Sequence, residues 1–508
     1  MKTFKSIIAV LAFMAMLPMQ LFAQNAEEIM RNLNSNDKTL VAEAEQKIVE
    51  MADNAAWTCD SQTHDMLFNA IVPFVGKFPN CKSDSLLIAQ LPKFCNERDA
   101  LEIMQLIDNE KYADQVIRTV GDIKGTSDYI AKYILKHSDN LQHKAALAYA
   151  VGKQHITSME NELISWLDDA DDFTKIEIYK ALVEIKTNEK TANIVEKGAK
   201  KLYKNSNPDY AIAGLQIMTA VKGEKAMPML YKALKNKDGK IRKAAFELMK
   251  PYANQGVVKK AMKKCKKGDA LVDFICWLGD IKDDSQMEFL IKQLSSDNDK
   301  VVEATIVSIF KIDNADGINA VKPMFGGKYQ EVIKNSMVTY EGDYIAVMND
   351  VARGNDYQKL AVLQIVESRP HLAMFNRVNE MLRSDNQIVK NEAYNALQYV
   401  VTISTGNQLE VMLETCEDQY VEQVQQAIKV AMKDAREDVK DNFASTLKHV
   451  RPEIMPRFYK VFAYFGTELC VDKLIEAYQT GDYKDEAKDA LLLIDNEQFK
   501  DKIEEALK

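Results

Sequence analysis

The stretch from Leu278 to Ile309 decides which fold this chain adopts. It reads LGDIKDDSQMEFLIKQLSSDNDKVVEATIVSI. Apolar residues recur at helical spacing on both sides of the turn at 295–299, which predicts the two helices of one hairpin. A hairpin of about 30 residues cannot bury both apolar stripes by itself, so it needs similar hairpins stacked on either side.

Related turns, each followed by an apolar helix, recur along the chain at an even step of about 31 residues. Twelve such turns start near Asp139, Asp172, Asp209, Asp238, Asp269, Asp299, Tyr329, Asp356, Asp385, Asp418, Glu453 and Asp482. This regularity is typical of a helical-repeat array. An Asp or Asn in the turn is expected to cap the second helix, because its side-chain oxygen can accept an unpaired backbone N–H.

The repeat resembles the HEAT-like repeats of bacteria, in particular the short class known from phycobilisome lyases. The residues that carry the resemblance are Leu278, Gly279, Asp280, Ile281, Leu290, Leu294, Asp297, Asp299, Val302 and Ala304. It covers residues 110–508 well and 24–109 loosely. The resemblance implies an all-α fold, a right-handed α-solenoid (superhelix) of roughly fourteen HEAT-like helix pairs, with the first helix of each pair in the outer row. It does not imply lyase activity, because such repeats occur in many unrelated proteins.

The composition agrees with helices packed on helices. Gly and Pro number 19 and 11 among 508 residues, about half of their usual share. So few helix breakers argue against a sandwich, a barrel, a propeller or a disordered linker protein. A hydrophobic share of 47% excludes a chain too polar to fold.

The first residues are interpreted as a secretory signal peptide. Lys2 and Lys5 precede an uncharged apolar run from Ile7 to Phe22, and Ala23 supplies a small residue for cleavage. The run is about 16 residues, shorter than the roughly 20 of a spanning helix, so a membrane anchor is the less favoured alternative. We therefore expect cleavage near Ala23, export to the periplasm or beyond the cell, and no membrane span in the mature chain. The predicted segments are a signal peptide at 1–23, an N-terminal helical capping region at 24–110 and a HEAT-like repeat array at 111–508.

Motifs for catalysis or metal binding are missing from the sequence. It contains no H-E-x-x-H, no C-x-x-C and no G-x-S-x-G. His137, His143 and His155 lie close together along the chain. We interpret them as surface residues of turns and helices; a metal site formed by the three is the less favoured alternative. We predict no catalytic, cofactor or metal site, and a protein that is not an enzyme.

The seven cysteines are too few to form a disulfide scaffold in a chain of this length. Their odd number means that at least one thiol stays free or pairs between chains. Cys59, Cys81 and Cys95 cluster near the N-terminus, and the pairing among them is left open.

Positive charge is concentrated in residues 186–267, which hold 21 Lys or Arg against 6 Asp or Glu, a net of +15 within a chain of −9. Many of these lysines fall on the first helices of successive repeats, which stacking is predicted to align. We call this set the basic band: Lys197, Lys200, Lys201, Lys204, Lys232, Lys235, Lys259, Lys260, Lys263, Lys264 and Lys267. The band is predicted to attract an acidic glycan or an acidic protein through its long-range field. A solvated helical face is the competing interpretation.

Nucleic acid is the less favoured polyanion, because an exported chain rarely meets it and aromatic residues for base stacking are missing from the band. A group of tyrosines lies further along the chain. Exposed tyrosines could stack on sugar rings, whereas buried ones would fill the core and keep only their hydroxyls at its edge; we favour the buried interpretation. The group comprises Tyr329, Tyr340, Tyr344, Tyr357, Tyr394 and Tyr399.

The sequence as a whole favours a binding scaffold, exported and non-enzymatic, that presents an extended helical-repeat surface to a protein or glycan partner. The alternative is an accessory helical-repeat component of a carbohydrate-processing system in the cell envelope. The identity of the partner and the oligomeric state are left open by the sequence.

Overall fold

The structure is a computed structural model that describes residues 28–58, 61–78, 81–185 and 188–508. Within these ranges the regular elements are helices and no strand occurs, which confirms the predicted all-α class. The predicted signal peptide and its cleavage site near Ala23 lie outside the described residues, as does Cys59. No helix in the described ranges is both long enough and apolar enough to span a membrane.

The chain divides into two compact units, Met1–Lys264 and Cys265–Lys508. Residues 28–33 are helical, and the α-helices that follow them in the first unit are α1 Lys38–Thr58, α2 Ser61–Ile71, α3 Asp84–Phe94, α4 Ala100–Gln105, α5 Ala113–Asp122, α6 Ser127–Lys136, α7 Lys144–Lys153, α8 Glu160–Trp166, α9 Asp172–Glu184, α10 Glu189–Tyr203, α11 Pro208–Lys222, α12 Met227–Ala233, α13 Gly239–Met249 and α14 Gln255–Lys264. The boundary of the capping region at 110 stays a prediction.

The second unit continues the same alternation of helices. Its α-helices are α15 Asp269–Asp280, α16 Met287–Gln293, α17 Asp299–Ile312, α18 Ala315–Val321, α19 Gln330–Thr339, α20 Tyr344–Val351, α21 Asp356–Ser368, α22 Phe375–Met381, α23 Gln387–Ala396, α24 Gly406–Thr415, α25 Val421–Ala431, α26 Glu437–Thr446, α27 Pro456–Phe465, α28 Glu468–Thr480, α29 Lys484–Leu492 and α30 Glu497–Ala506. Short 3₁₀ turns extend or precede many of these helices.

The odd-numbered helices of each unit pack on one another in chain order. In the first unit α5 packs on α7, α7 on α9, α9 on α11 and α11 on α13; in the second, α15 packs on α17, α17 on α19 and α19 on α21. An even-numbered helix packs on the odd-numbered helix that follows it, for example α8 on α9, α12 on α13 and α16 on α17. Each unit is therefore an α-solenoid, as predicted, and the described residues form roughly fourteen helix pairs in all.

The twelve predicted turns fall where odd-numbered helices begin. Asp172, Asp269, Asp299 and Asp356 are the first residues of α9, α15, α17 and α21, and the other eight lie within five residues of a helix start. The spacing found in the sequence is thus the spacing of the packed odd-numbered helices.

Asp and Asn side chains cap six of these helices, as expected. Asn298, for example, accepts a hydrogen bond from the backbone N–H of Lys300 at the start of α17. A cap of this kind stabilises a helix by about 1 kcal/mol. The capping residues are Asp171, Asn207, Asp238, Asn298, Asn355 and Asn386.

Gly279, near the start of the 278–309 repeat, lies where the backbones of α15 and α17 come close together. A Cβ atom added there would be 2.8 Å from the Cα of Ser308, whose hydroxyl donates to the carbonyl of Ile275 at 2.8 Å. The same contact occurs in the first unit, and all three pairs are 29 residues apart in the sequence; the other two are Gly121–Ala150 and Gly152–Ala181. In these three pairs of odd-numbered helices, glycine is therefore the spacer that lets the backbones pack closely.

Candidate binding surface

Ten of the eleven lysines of the basic band lie on or directly after three even-numbered helices of the first unit. Lys197, Lys200 and Lys201 are on α10, Lys232 is on α12, and the run at 259–264 is on α14. Lys267 belongs to the second unit. All eleven are exposed.

The lysines face solvent because each helix buries its opposite side. On α10, Lys197, Lys200, Lys201 and Lys204 recur at spacings of three and four residues, which places them on one face. The buried residues of α10 are Thr191, Val195, Gly198, Ala199 and Leu202. On α14 they are Val257, Val258 and Ala261.

The three lysine-bearing helices are neighbours. Helices α10 and α12 both pack on α11, and α12 packs on α14. The first unit therefore carries lysines on three consecutive helices of the even-numbered row, of which α12 and α14 are in direct contact.

Few acidic groups neutralise this surface. Glu196 accepts hydrogen bonds from Lys200 at 2.6 Å and from Lys222 at 2.5 Å, and these lysines hold the pKa of its carboxyl below the ordinary value. Across the described residues, that carboxylate is the only salt-bridge partner of the basic band. Glu247, another acidic residue between 186 and 267, forms a salt bridge with Lys250, whose Nζ lies 2.7 Å from a carboxylate oxygen of Glu247. The lysine charges are thus left to solvent and to any acidic partner.

The three neighbouring histidines have separate partners. His143 Nδ1 lies 2.7 Å from a carboxylate oxygen of Asp114, and His155 Nδ1 lies 3.1 Å from the carbonyl oxygen of Glu184. His137 Nδ1 lies 2.9 Å from the carbonyl oxygen of Tyr133. Each ring stays with its own local partner, and the structure does not bring the three together.

Three of the six tyrosines of the group are part of the packed interior, and Tyr329 and Tyr399 are half-buried. Tyr340, Tyr344 and Tyr394 are buried, while Tyr357 is 70% exposed. The Tyr340 hydroxyl donates to Asp313, and burial together with this carboxylate raises the pKa of Tyr340. Tyr344 donates to the carbonyl of Arg369 at 3.1 Å. These hydroxyls hold the helix ends of successive repeats together.

An open groove of about 1000 Å³ in the second unit crosses the ends of α15, α17 and α19. Its charged side chains are engaged with one another: Lys311 lies 2.7 Å from Asp280, and Lys282 lies 3.3 Å from Glu341. Asp313, the remaining acid of the lining, accepts from Tyr340. The charged side chains that line the groove therefore already have partners within the second unit, which makes the groove a weaker candidate for binding a charged ligand than the basic band.

The structure also brings together side chains that no sequence motif connects. His64 on α2, Cys95 directly after α3 and Asp99 directly before α4 form one group. Burial raises the pKa of the Cys95 thiol, and the carboxylate of Asp99 adds to the rise. Burial alone would lower the pKa of His64, but its hydrogen bonds with Asp99 and Asp65 outweigh burial and raise it. A second group, Glu410, Glu414 and His449, lies in the second unit.

The described cysteines near the N-terminus are thiols. Cys81 is buried and its Sγ lies 3.7 Å from the carbonyl oxygen of Leu33, while Cys95 is half-buried. Cys81 and Cys95 are therefore not joined to each other, and Cys59 lies outside the described residues.

The repeated sequence motif, the two rows of helices and the glycine spacers define the chain as an α-helical-repeat protein. No protein-family model and no curated protein matches the sequence. Among solved structures, yeast importin-β (Kap95p) is 12% identical over 94% of this chain and 72% of its own, with a TM-score of 0.41. Kap95p bound to RanGDP is 11% identical over 96% and 79%, with a TM-score of 0.44. At such values the likeness carries no information about what this chain binds.

Proposed function

We propose that this protein is an exported, non-enzymatic binding scaffold whose basic band holds an acidic partner, either a glycan or a protein surface. The observation that carries the proposal is the set of exposed lysines on the consecutive even-numbered helices α10, α12 and α14, of which Lys200 alone has a salt-bridge partner in the described ranges. Export is supported by Lys2, Lys5 and the apolar run that follows them.

The arrangement suits an extended partner. Exposed charges within about 10 Å of one another act together at 0.1 M salt, because that is the Debye length. Lysines on one helix face and on the adjoining helices therefore produce a shared field that attracts anions. A partner with regularly spaced negative charges can meet several lysines at once, whereas a small anion meets one or two.

The quadruple variant Lys259→Gln, Lys260→Gln, Lys263→Gln and Lys264→Gln is expected to weaken heparin binding about ten-fold. This estimate takes about 0.4 kcal/mol for each exposed ion pair lost and 1.4 kcal/mol for each factor of ten. Isothermal titration calorimetry at 50, 150 and 300 mM salt measures the affinities, because added salt shortens the Debye length and screens exposed charges more strongly. Wild-type affinity should fall as salt rises.

The matched control removes four exposed lysines of the second unit instead: Lys292→Gln, Lys300→Gln, Lys433→Gln and Lys488→Gln. Both variants change the net charge equally, so only the position of the charges differs. Neutral dextran and polyglutamate serve as further ligands, and they separate a glycan preference from a general preference for acidic chains. Equal losses in the two variants would show that net charge, and not the basic band, governs binding.

Glu196→Gln is expected to strengthen heparin binding two- to three-fold, in the range of about 0.2–1 kcal/mol for an exposed ion pair. The substitution removes the one carboxylate that occupies Lys200 and also releases Lys222. Glu247→Gln is the control, because it makes the same charge change at a carboxylate paired with Lys250. The same calorimetric titration should give a larger gain for Glu196→Gln; an equal or smaller gain would contradict the placement of the binding surface at α10.

A further inference from the structure

Three side chains suited to a transition metal meet in the first unit. His64 comes from α2, Cys95 follows the last residue of α3, and Asp99 precedes α4. One ligand atom from each lies within 4.8 Å of the other two. His64 Nε2 is 2.9 Å from Asp99 Oδ2.

The three side chains are of the kinds that bind Zn²⁺ and similar divalent transition-metal ions, which we call the zinc class. Imidazole, thiolate and carboxylate are all zinc ligands, at about 2.0–2.3 Å from the ion. Ligand atoms around a tetrahedral ion are then roughly 3.3–3.8 Å apart. His64 Nε2 and Asp99 Oδ2 are 2.9 Å apart, slightly closer than that, and no two of the three ligand atoms are more than 4.8 Å apart. The thiolate favours Zn²⁺ and other transition-metal ions over Mg²⁺ and Ca²⁺, because Mg²⁺ and Ca²⁺ prefer oxygen ligands.

A second layer of contacts holds the ligands in place. Asp65 Oδ1 lies 2.8 Å from His64 Nδ1, which leaves Nε2 directed at Asp99. A carboxylate behind the distal ring nitrogen is the usual support for a metal-binding histidine. Asp99 also accepts from the backbone N–H of Asn96 at 2.7 Å, and the His64 ring stacks on Phe68 with centroids 5.9 Å apart.

Burial and charge agree with a bound dication. The side chains of His64 and Asp99 are only 18% and 10% exposed, and Cys95 is half-buried. A neutral imidazole, a thiolate and a carboxylate together carry a charge of −2, which one divalent ion balances. The group Glu410, Glu414 and His449 is less suited, because it has no thiol and the His449 side chain is 61% exposed.

We propose that His64, Cys95 and Asp99 bind one divalent transition-metal ion of the zinc class. Three protein ligands leave a fourth position for water or for a group from a partner, as in zinc sites that are not purely structural. The site belongs to α2–α4 and is separate from the basic band, so it goes beyond the proposed function and does not depend on it.

The test is a titration of the full chain, freed of metal and reduced with a phosphine, with Co²⁺ as a spectroscopic probe. We expect one Co²⁺ per chain, with an absorption band from thiolate-to-cobalt charge transfer that added Zn²⁺ abolishes. Cys95→Ser should lose this band. His64→Gln and Asp99→Asn should keep a band but weaken the affinity at least ten-fold, in line with about 10- to 100-fold effects of lost metal-site contacts.

Cys416→Ser, which removes a buried thiol of the second unit, is the control and should bind Co²⁺ as the wild type does. Zn²⁺ should also raise the Tm of the wild type but not of Cys95→Ser. A titration without a charge-transfer band, or a band that persists in Cys95→Ser, would overturn the proposal. If circular dichroism shows that Cys95→Ser is unfolded, unchanged affinity in both His64→Gln and Asp99→Asn overturns it instead.

Discussion

Gly279→Val should lower the stability of the second unit around α15 and α17 by about 3 kcal/mol, the upper end for overpacking a core. The new Cβ would lie 2.8 Å from the Cα and 2.9 Å from the Cβ of Ser308, so backbone as well as side chain must move. Ser308 cannot turn away freely, because its hydroxyl is bonded to the carbonyl of Ile275. The two helices must separate, and the packing along the odd-numbered row is lost at that point.

Urea denaturation followed by the fluorescence of Trp277, which is buried in the second unit, measures this effect. Trp57→Phe and Trp166→Phe in the background leave Trp277 as the reporter, since the chain has three Trp. Glu303→Val is the control: it introduces the same side chain at an exposed position of α17. A loss for Gly279→Val no larger than that of the control would contradict close packing at this glycine.

Arg457→Met should destabilise the second unit by about 3 kcal/mol, because it removes the guanidinium that donates to part-buried backbone carbonyls. The Arg457 guanidinium donates to the carbonyl of Leu413 at 3.0 Å and to that of Cys416 at 2.8 Å. These carbonyls belong to the end of α24, where no further helical N–H is available to them. The bond from Arg457 to Asp418, at 2.6 Å, adds little, because the Asp418 side chain is 95% exposed.

Arg436→Met is the matched control for this prediction. Arg436 is 81% exposed and pairs with exposed Asp438 at 2.8 Å, so its loss should change the free energy of unfolding by at most about 1 kcal/mol. Urea denaturation monitored by circular dichroism gives both values. Similar values for the two arginines would show that the carbonyls at the end of α24 do not depend on Arg457.

The repeat could be predicted because its signals are local. An Asp or Asn before an apolar helix is a short-range pattern, and its recurrence located the starts of the odd-numbered helices to within five residues. The exposure of the lysines followed from helical spacing as well: Lys197, Lys200 and Lys201 are on the side of α10 opposite its buried residues. Whether the basic band binds a partner stays a prediction.

The contacts between helices could not be predicted in the same way. His64, Cys95 and Asp99 come from three elements, and Asp99 reaches the group through a short 3₁₀ turn at Glu97–Asp99 that its capping box with Asn96 holds in place. No periodic pattern marks such a turn. The division of the chain after Lys264, which separates Lys267 from the other lysines of the basic band, likewise depends on packing and not on local sequence.

Each helix pair of an α-solenoid depends mainly on its immediate neighbours. Hydrogen–deuterium exchange followed by mass spectrometry, on Gly279→Val and the wild type under native conditions, tests this most directly. We expect faster exchange in α15 to α19 and unchanged protection in α25 to α29. Equal acceleration in every helix of the second unit would contradict the claim, because it would show that the unit unfolds only as a whole.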